Sequence, residues 1–312
     1  MMAHGDGVAT TTVRTKPAYL IDGSLYVFRA WHSVDASMSD RDGWPTNAVY
    51  GFTRFLLEFL RGQQPQHIAV AFDEALASSF RNRLYPAYKA NREPAPDELK
   101  RQFQQCKRVV RALGIVCLAD AEYEADDLIG SAHTVLRRDG HNVVIVSADK
   151  DLSQLLADGD EQWDYGRNLR WCARGCVDRH GVPPGHIADM LALVGDPVDN
   201  VPGVPGIGRK TAAILLHHFD GLANVLANVD AIRVMRLRGA PRIADAVAMR
   251  IEQIQLMRRL TALTLDAPVA GSADDYRPAT ARSGDIVPLL DELRFGPLTR
   301  RACLEWCSPN AR

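Results

Sequence analysis

Three short apolar runs, each closing on an aspartate and each separated from the next by a helical pattern, limit the fold of this chain more than any other feature. They are Ala18-Tyr-Leu-Ile-Asp22, Ile68-Ala-Val-Ala-Phe-Asp73 and Val143-Val-Ile-Val-Ser-Ala-Asp149. Runs this uniformly apolar suit strands covered on both faces, as parallel strands are. Residues 47–61, 99–113 and 125–138 carry apolar side chains at three- and four-residue steps, the stripe of an amphipathic helix. The alternation predicts an α/β fold with a mainly parallel central sheet flanked by helices. In open sheets of that type the crevice lies outside the carboxyl ends of the strands, so three aspartate-tipped strands aim three carboxylates at one place. A single aspartate after a strand is ordinarily a cap or turn residue.

The stretch Tyr123-Glu-Ala-Asp-Asp-Leu-Ile-Gly130 then puts three carboxylates into four positions at a helix start. Acids are common there, because they meet the positive end of the helix dipole. The third run leads into Asp149 and Asp151, and Gly195-Asp-Pro-Val-Asp-Asn-Val-Pro-Gly203 adds Asp196 and Asp199. With Asp22, Asp73, Glu124, Asp126 and Asp127 the set reaches nine. Nine acids in one crevice raise one another's pKa and cannot all ionise without cations. Hard divalent ions such as Mg²⁺ or Mn²⁺ take oxygen ligands and leave positions for a phosphate substrate. Two such ions clamp the oxygens of a phosphodiester, so the chemistry expected is phosphodiester hydrolysis. The chain has no HExxH, and its nine histidines offer no zinc pattern.

Residues 79–92 carry Arg81, Arg83, Lys89 and Arg92 with no acid among them, interleaved with Phe80, Tyr85 and Tyr88. Cations for phosphates and rings for unstacked bases make a path for single-stranded nucleic acid; a solvated loop with aromatic anchors has the same composition. In Val201-Pro-Gly-Val-Pro-Gly-Ile-Gly-Arg-Lys-Thr211, Gly203 and Gly208 have P-loop spacing. Arg209 intrudes before Lys210-Thr211 and no apolar strand precedes, so a nucleotide-binding reading fails on register. Glycines feeding a helix expose backbone N–H groups to phosphate, which suits a helix–hairpin–helix holding a DNA backbone, or else a plain turn between packed helices.

The remaining composition sets bounds. With 37 Lys+Arg against 38 Asp+Glu the net charge is −1, so any nucleic-acid signal is local. No apolar stretch reaches membrane-spanning length, which predicts a soluble, cytoplasmic protein with no membrane partner. Cys172/Cys176 and Cys303/Cys307 are four apart, without zinc-knuckle spacing, and reduced thiols are expected. Residues 1–17 read as a flexible leader, 18–181 as the α/β core, 182–302 as a mainly helical region and 303–312 as a tail.

Seven stretches, in order "IDGSLYVFRA", "AVAFD", "FRNRLYPAYKANR", "YEADDLIG", "VSADKDLSQLL", "GDPVDNVPGVPGIGRKTAAILL" and "DELRFGPLTR", resemble the bacterial 5′→3′ exonuclease or flap endonuclease family. The same module forms the N-terminal nuclease domain of bacterial DNA polymerase I. The resemblance implies a PIN-like 5′-nuclease core, a helical arch around 78–98 that passes a 5′ single strand, and a helix–hairpin–helix around 199–219 that holds duplex DNA, with K⁺ bound there. It implies one Mg²⁺ among Asp22, Asp73 and Asp126, a second among Asp126, Asp149, Asp151 and Asp196, and Glu124, Asp127 and Asp199 acting directly or through waters. Arg29, Tyr88, Lys89 and Arg92 match positions at the 5′ strand and scissile phosphate, with Lys89, Arg92 and Arg29 taken as catalytic. Arg81, Arg83, Gly203, Gly206, Gly208, Arg209, Lys210 and Thr211 are the remaining expected DNA contacts. Pro197-Val198 and Ala148 depart from the usual residues, which touches loop spacing more than ligands. The implied activity is a stand-alone, monomeric, structure-specific 5′ nuclease on DNA 5′ ends or flaps, RNA-primed strands included, working beside a separate polymerase and ligase in replication and repair. A non-catalytic DNA-junction binder and an RNA-directed nuclease on the same scaffold are the rival readings.

Overall fold

A computed structural model of the chain describes residues 16–74, 79–280 and 283–308, so residues 1–15 of the expected leader and 309–312 of the expected tail lie outside the described residues. Strand β1 (Ala18–Asp22) runs directly into α1 (Gly23–Ser33), and α2 (Asn47–Gln63) returns the chain to β2 (Ile68–Asp73). A short α3 (Phe80–Leu84) and then α4 (Asp97–Ala112) precede β3 (Val116–Asp120); α5 (Ala125–Arg138) precedes β4 (Val143–Val146). Two further strands, β5 (Glu161–Asp164) and β6 (Leu169–Trp171), complete one sheet of order β3-β2-β1-β4-β5-β6. All neighbours pair in parallel except β6, which runs antiparallel to β5. The chain winds from β1 outward through β2 to β3, then crosses back to β4 and β5. That reversal puts the topological switch point between β1 and β4, where such sheets open a crevice.

Strand side chains alternate between two layers. Tyr19, Ile21, Ile68, Val70 and Phe72 face one way, into a core with α1, α2 and α4. Ala18, Leu20, Ala69 and Ala71 face the other, against Leu128, Ile129, Ala132 and Leu136 of α5. Burial on both faces is why the runs read as continuously apolar. At Gly23 a Cβ would lie 2.7 Å from the Phe72 and Val70 side chains, so only glycine lets α1 leave β1 this close to β2.

A second, all-helical core follows, built from α6 (Ala173–His180), α7 (Ile187–Val194), α8 (Arg209–Phe219), α9 (Leu222–Ala227), α10 (Val229–Ile232), α11 (Ala240–Ala248) and α12 (Ile251–Thr261). The structure corrects the expected 182–302 unit and its tail. After α12 the chain returns to the sheet, where Leu263, Ala267 and Tyr276 cover the α5 side. Helices α13 (Ser283–Glu292) and α14 (Pro297–Trp306) pack in the first core through Leu289, Leu290, Leu293, Cys303 and Trp306. Trp306 donates its indole N–H to the Leu113 carbonyl at 3.0 Å, so 303–306 is a structural helix end.

One buried ion pair joins three segments. Arg81 of α3 is 2% exposed and Asp127 of α5 is fully buried. The guanidinium meets both oxygens of Asp127, at 2.6 and 2.8 Å, and also donates to the Leu260 and Ala262 carbonyls. Asp127 in turn accepts from the backbone N–H of Thr264 and Glu124. The bidentate fork is a geometry lysine could not supply. This overturns the expectation of a DNA contact at Arg81 and a metal ligand at Asp127: both are spent on each other, away from solvent. We expect Arg81→Ala to lower unfolding stability by about 3–5 kcal/mol, because it strands a buried carboxylate. Urea unfolding checks it, and a loss below about 1 kcal/mol would place the pair among surface bridges.

Candidate metal centre and nucleic-acid interface

The C-terminal ends of β1, β2 and β4 meet at a cavity of ≈ 220 Å³. Eight of the nine expected acids line it: Asp22, Asp73, Glu124, Asp126, Asp149, Asp151, Asp196 and Asp199. Asp127 is the ninth. On a helix, neighbouring residues point about 100° apart, so the pocket takes Asp126 while the core takes Asp127.

Backbone and hydroxyl donors set the direction of each acid. Asp22 caps α1, accepting from Leu25 N at 3.0 Å and from the Ser147 hydroxyl at 2.8 Å. Asp73 accepts from Ala125 N at 2.9 Å, tying β2 to the start of α5. Strand β4 ends at Val146, three residues short of the sequence expectation, and the chain turns through Ser147 to Lys150. In that turn Asp149 accepts from Asp151 N at 2.9 Å, and Gln162 of β5 donates to the Asp149 carbonyl at 2.6 Å. From the far side, Gly195 and Gly203 close the loop that carries Asp196 and Asp199. A Cβ on Gly203 would lie 2.1 Å from the Val194 carbonyl oxygen, and Gly195, at φ +82°, abuts Gly203 N.

Crowding shows in the protonation equilibria. Burial first, then Asp73 and Asp149, push Asp22 up to about 7. Burial, with Asp149, Asp22 and Asp73, raises Asp126 well above the carboxylate range. Asp151 is also pushed up to about 7, by burial and Asp149. Asp196 goes the other way: burial acts upward, but the Lys150 ammonium and the Val198 and Asp199 N–H groups hold it low. Asp151, Asp196 and Asp199 each bring a carboxylate oxygen within 4.8 Å of the others, and Asp151 Oδ1 is buried without a hydrogen-bond partner. An all-oxygen set with one orphaned oxygen fits a hard divalent ion.

The basic segment closes one wall. Lys89, at φ +56°, donates its N–H to the Asp199 carbonyl and its ammonium to Glu124 at 2.8 Å. The Tyr88 hydroxyl reaches Glu124 and Asp199 at 3.2 and 3.1 Å, and Arg92 pairs with Asp199. Burial, with Glu124 and Asp199 close by, raises the Tyr88 pKa. For Lys89, burial acts downward, but Glu124 and Asp199 outweigh it and raise the pKa. Arg29 is not brought into this pocket; it holds Asp164 at 2.9 Å at the end of β5. Sequence reasoning missed Asp164, because Glu161-Gln-Trp-Asp164 is a polar strand with no apolar run to announce it. Arg83 is exposed and paired with Glu122, beside a neighbouring cleft. Gly206, at φ +86°, and Gly208 have nothing within 4 Å of a notional Cβ, so the backbone there stays open ahead of Arg209, Lys210 and Thr211 in the first turn of α8. None of the six cysteines is in a disulfide. No helix among the described residues is long and apolar enough to cross a membrane.

Comparison with known proteins gives a family for this geometry. A family model for the 5′-3′ exonuclease N-terminal resolvase-like domain matches residues 17–179, and one for the 5′-3′ exonuclease C-terminal SAM fold matches 182–283. The chain is 38% identical over 295 residues to DNA polymerase I of Mycobacterium tuberculosis, which aligns with 92% of this chain and 32% of its own length. This chain thus spans about a third of that relative. A 5′-3′ exonuclease of Aquifex aeolicus is 34% identical over 285 residues, covering 91% of this chain and 94% of the relative. Two solved structures of the bacteriophage T5 enzyme share the fold: a 5′-exonuclease with divalent zinc bound (TM-score 0.66, 18% identity, 93% of this chain and 99% of that one) and a flap endonuclease complexed with DNA and metal ions (0.62, 19%, 93% and 98%). Both family models fall on the chain in their natural order and an exonuclease aligns over nearly its whole length, so the chain belongs to the 5′-3′ exonuclease family.

Proposed function

We propose that the protein is a Mg²⁺-dependent, structure-specific 5′ nuclease that hydrolyses phosphodiester bonds at DNA 5′ ends and 5′ flaps. The observation that carries it is the convergence of eight acids on one pocket whose wall is Tyr88, Lys89 and Arg92. Divalent ions held there, two Mg²⁺ with Mn²⁺ able to substitute, supply Lewis-acid stabilisation of phosphate charge and a water activated for attack. Asp22, Asp73 and Asp126 form one ligand group and Asp149, Asp151, Asp196 and Asp199 the other, with Glu124 orienting the basic wall. Lys89 and Arg92 exchange their carboxylate partners for the scissile phosphate and neutralise charge in the transition state. Arg29 and Arg83 track the 5′ strand further out. The open backbone at Gly206 and Gly208, with Arg209, Lys210 and Thr211, holds duplex phosphates at the start of α8, a segment that would also hold a K⁺. Gly203 serves this interface by shaping the loop. The reading extends to RNA-primed 5′ strands, to a monomer in the cytoplasm, and to action beside a polymerase and a ligase.

Incubating a 5′-flap duplex with folded protein tests it: cleavage is expected with Mg²⁺ and none in chelator, and an intact flap in both arms would leave the DNA-junction binder. Asp149→Ala should cut turnover by more than the roughly 10–100-fold that losing an outer partner of a ligand costs. Flap affinity, read by fluorescence anisotropy, should be retained.

Metal linkage gives a second check. Asp22 and Asp151 sit near 7 when folded, above their ordinary carboxylate value. The folded, metal-free protein therefore holds more protons than the unfolded chain between about pH 4 and 7, so these groups' contribution to stability is lost as pH rises through that window. Mg²⁺ relieves the repulsion of the ionised forms. The rise in Tm on adding Mg²⁺, up to the equivalent of about 2.7 kcal/mol at one hundred times the Kd, should be larger at pH 8 than at pH 5. An equal rise at both would contradict a carboxylate centre.

A further inference from the structure

Lys150 lies between the two aspartates of its own turn and reaches over to the loop that carries Asp196. Its ammonium donates to Asp196 Oδ2 at 2.7 Å and lies 3.5 Å from Asp151 Oδ1. These two acids and Asp199 are the one group among the described residues whose carboxylate oxygens come together as a cation site does. The other oxygen of Asp196 accepts from Val198 N at 2.9 Å, so both of its oxygens are engaged. Asp22, Asp73 and Asp126 accept no hydrogen bond from a cation: Lys89, which lines the pocket, donates to Glu124 at 2.8 Å and acts on Asp73 and Asp126 only at longer range.

We propose that Lys150 is a tethered competitor for the second divalent ion, and that it makes loading of the Asp151–Asp196–Asp199 group depend on DNA. The inference rests on the metal-centre reading above. An ammonium held against these carboxylates would repel an incoming doubly charged ion, and coordination by Asp196 Oδ2 would require the Lys150 hydrogen bond to break. The Lys150 side chain is 30% exposed, and its four-carbon stem lets the ammonium leave the carboxylates for the pocket mouth. A phosphodiester there provides the ammonium with an alternative partner and adds negative charge that favours the ion. The Asp22–Asp73–Asp126 group has no ammonium hydrogen bond to break before it loads. The protein then carries one ion at rest and completes its site when a strand is present. Lys150 acts through Asp196 and Asp151, as a positioning residue.

Mn²⁺ titration of the full chain without DNA, with free Mn²⁺ read by electron paramagnetic resonance, tests this apart from activity. Wild type should show two classes of site, the second at least about tenfold weaker than the first. Lys150→Met should tighten the second class by about tenfold or more and leave the first unchanged. Lys150→Arg, which keeps the charge, should behave as wild type. A 5′-phosphorylated duplex that resists cleavage should tighten the second class in wild type and have less effect in Lys150→Met. Thermal melts confirm folding, and Lys150→Gln repeats the test if the methionine variant fails to fold. Two classes with unchanged constants in Lys150→Met, or a weakened second class, would overturn the role of Lys150 alone. No Mn²⁺ bound by wild type would overturn the metal centre itself.

Discussion

Mutual repulsion among carboxylates at the switch point of the sheet governs the rest of the molecule. Two like charges 4 Å apart cost about 4 kcal/mol at an effective dielectric of 20. The topology brings Asp22, Asp73 and Asp149 to one edge regardless, because β1, β2 and β4 are adjacent and parallel. The protein answers with its own cations. Lys89 meets Glu124, Arg92 meets Asp199 and Lys150 meets Asp196. Each of these contacts also joins segments far apart in sequence, so the groups that neutralise the site also tie distant parts of the chain together there. Tyr88 shows this directly: its ring lies in the helical core while its hydroxyl reaches Glu124 beside the sheet.

The cations divide by what can replace their partners. Arg81 and Asp127 are both buried and satisfied on every side, so parting them would leave an uncompensated charge, and the pair is permanent. Arg92, 43% exposed, holds Asp199 with the small net energy of a surface bridge, about 0–1 kcal/mol, and a phosphate can take it over. Lys150 stands between these cases, partly exposed yet hydrogen-bonded to a buried acid. Adjacent residues of similar chemistry thus do different work, and burial decides which.

The same distinction explains what could be read from the sequence. The three aspartate-tipped runs and the helices between them were legible because strands buried on both faces leave an unbroken apolar signature. β3 was not: it is an edge strand, half-buried, and its terminal Asp120 does the ordinary turn job, accepting from Glu122 and Tyr123 N. β5 and β6 are four and three residues long and largely polar, too short for periodicity to register. The acids of the site were legible as a set because they lie in motifs, but Asp126 and Asp127 are equivalent in composition and separate only through helical phase. Arg81 read as one more cation in a basic stretch. Its partner is 46 residues away, and nothing local predicts a fork aimed at the core. The return of α13 and α14 was hidden for a related reason, since beyond each other their apolar stripes find their mates in the distant α4 and α2.

Orientation completes the site. Asp73, Asp149 and Asp196 each give one oxygen to a backbone N–H, from Ala125, Asp151 and Val198, and Asp22 takes Leu25 N and the Ser147 hydroxyl. Ser24 fixes the backbone beneath Asp73, its hydroxyl accepting from Asp73 N, and Gln162 of β5 braces the turn that bears Asp149. These donors cannot lose their protons, so they hold the acids in place whatever the charge state of the pocket. A side chain anchored through one oxygen keeps its direction while the other exchanges partners, and this lets a crowded acidic centre bind and release cations without losing its shape. The anchors come from turns whose spacing the strands dictate. Precision at the site is therefore inherited from the sheet, while adaptability belongs to Lys89, Arg92 and Lys150 around its rim.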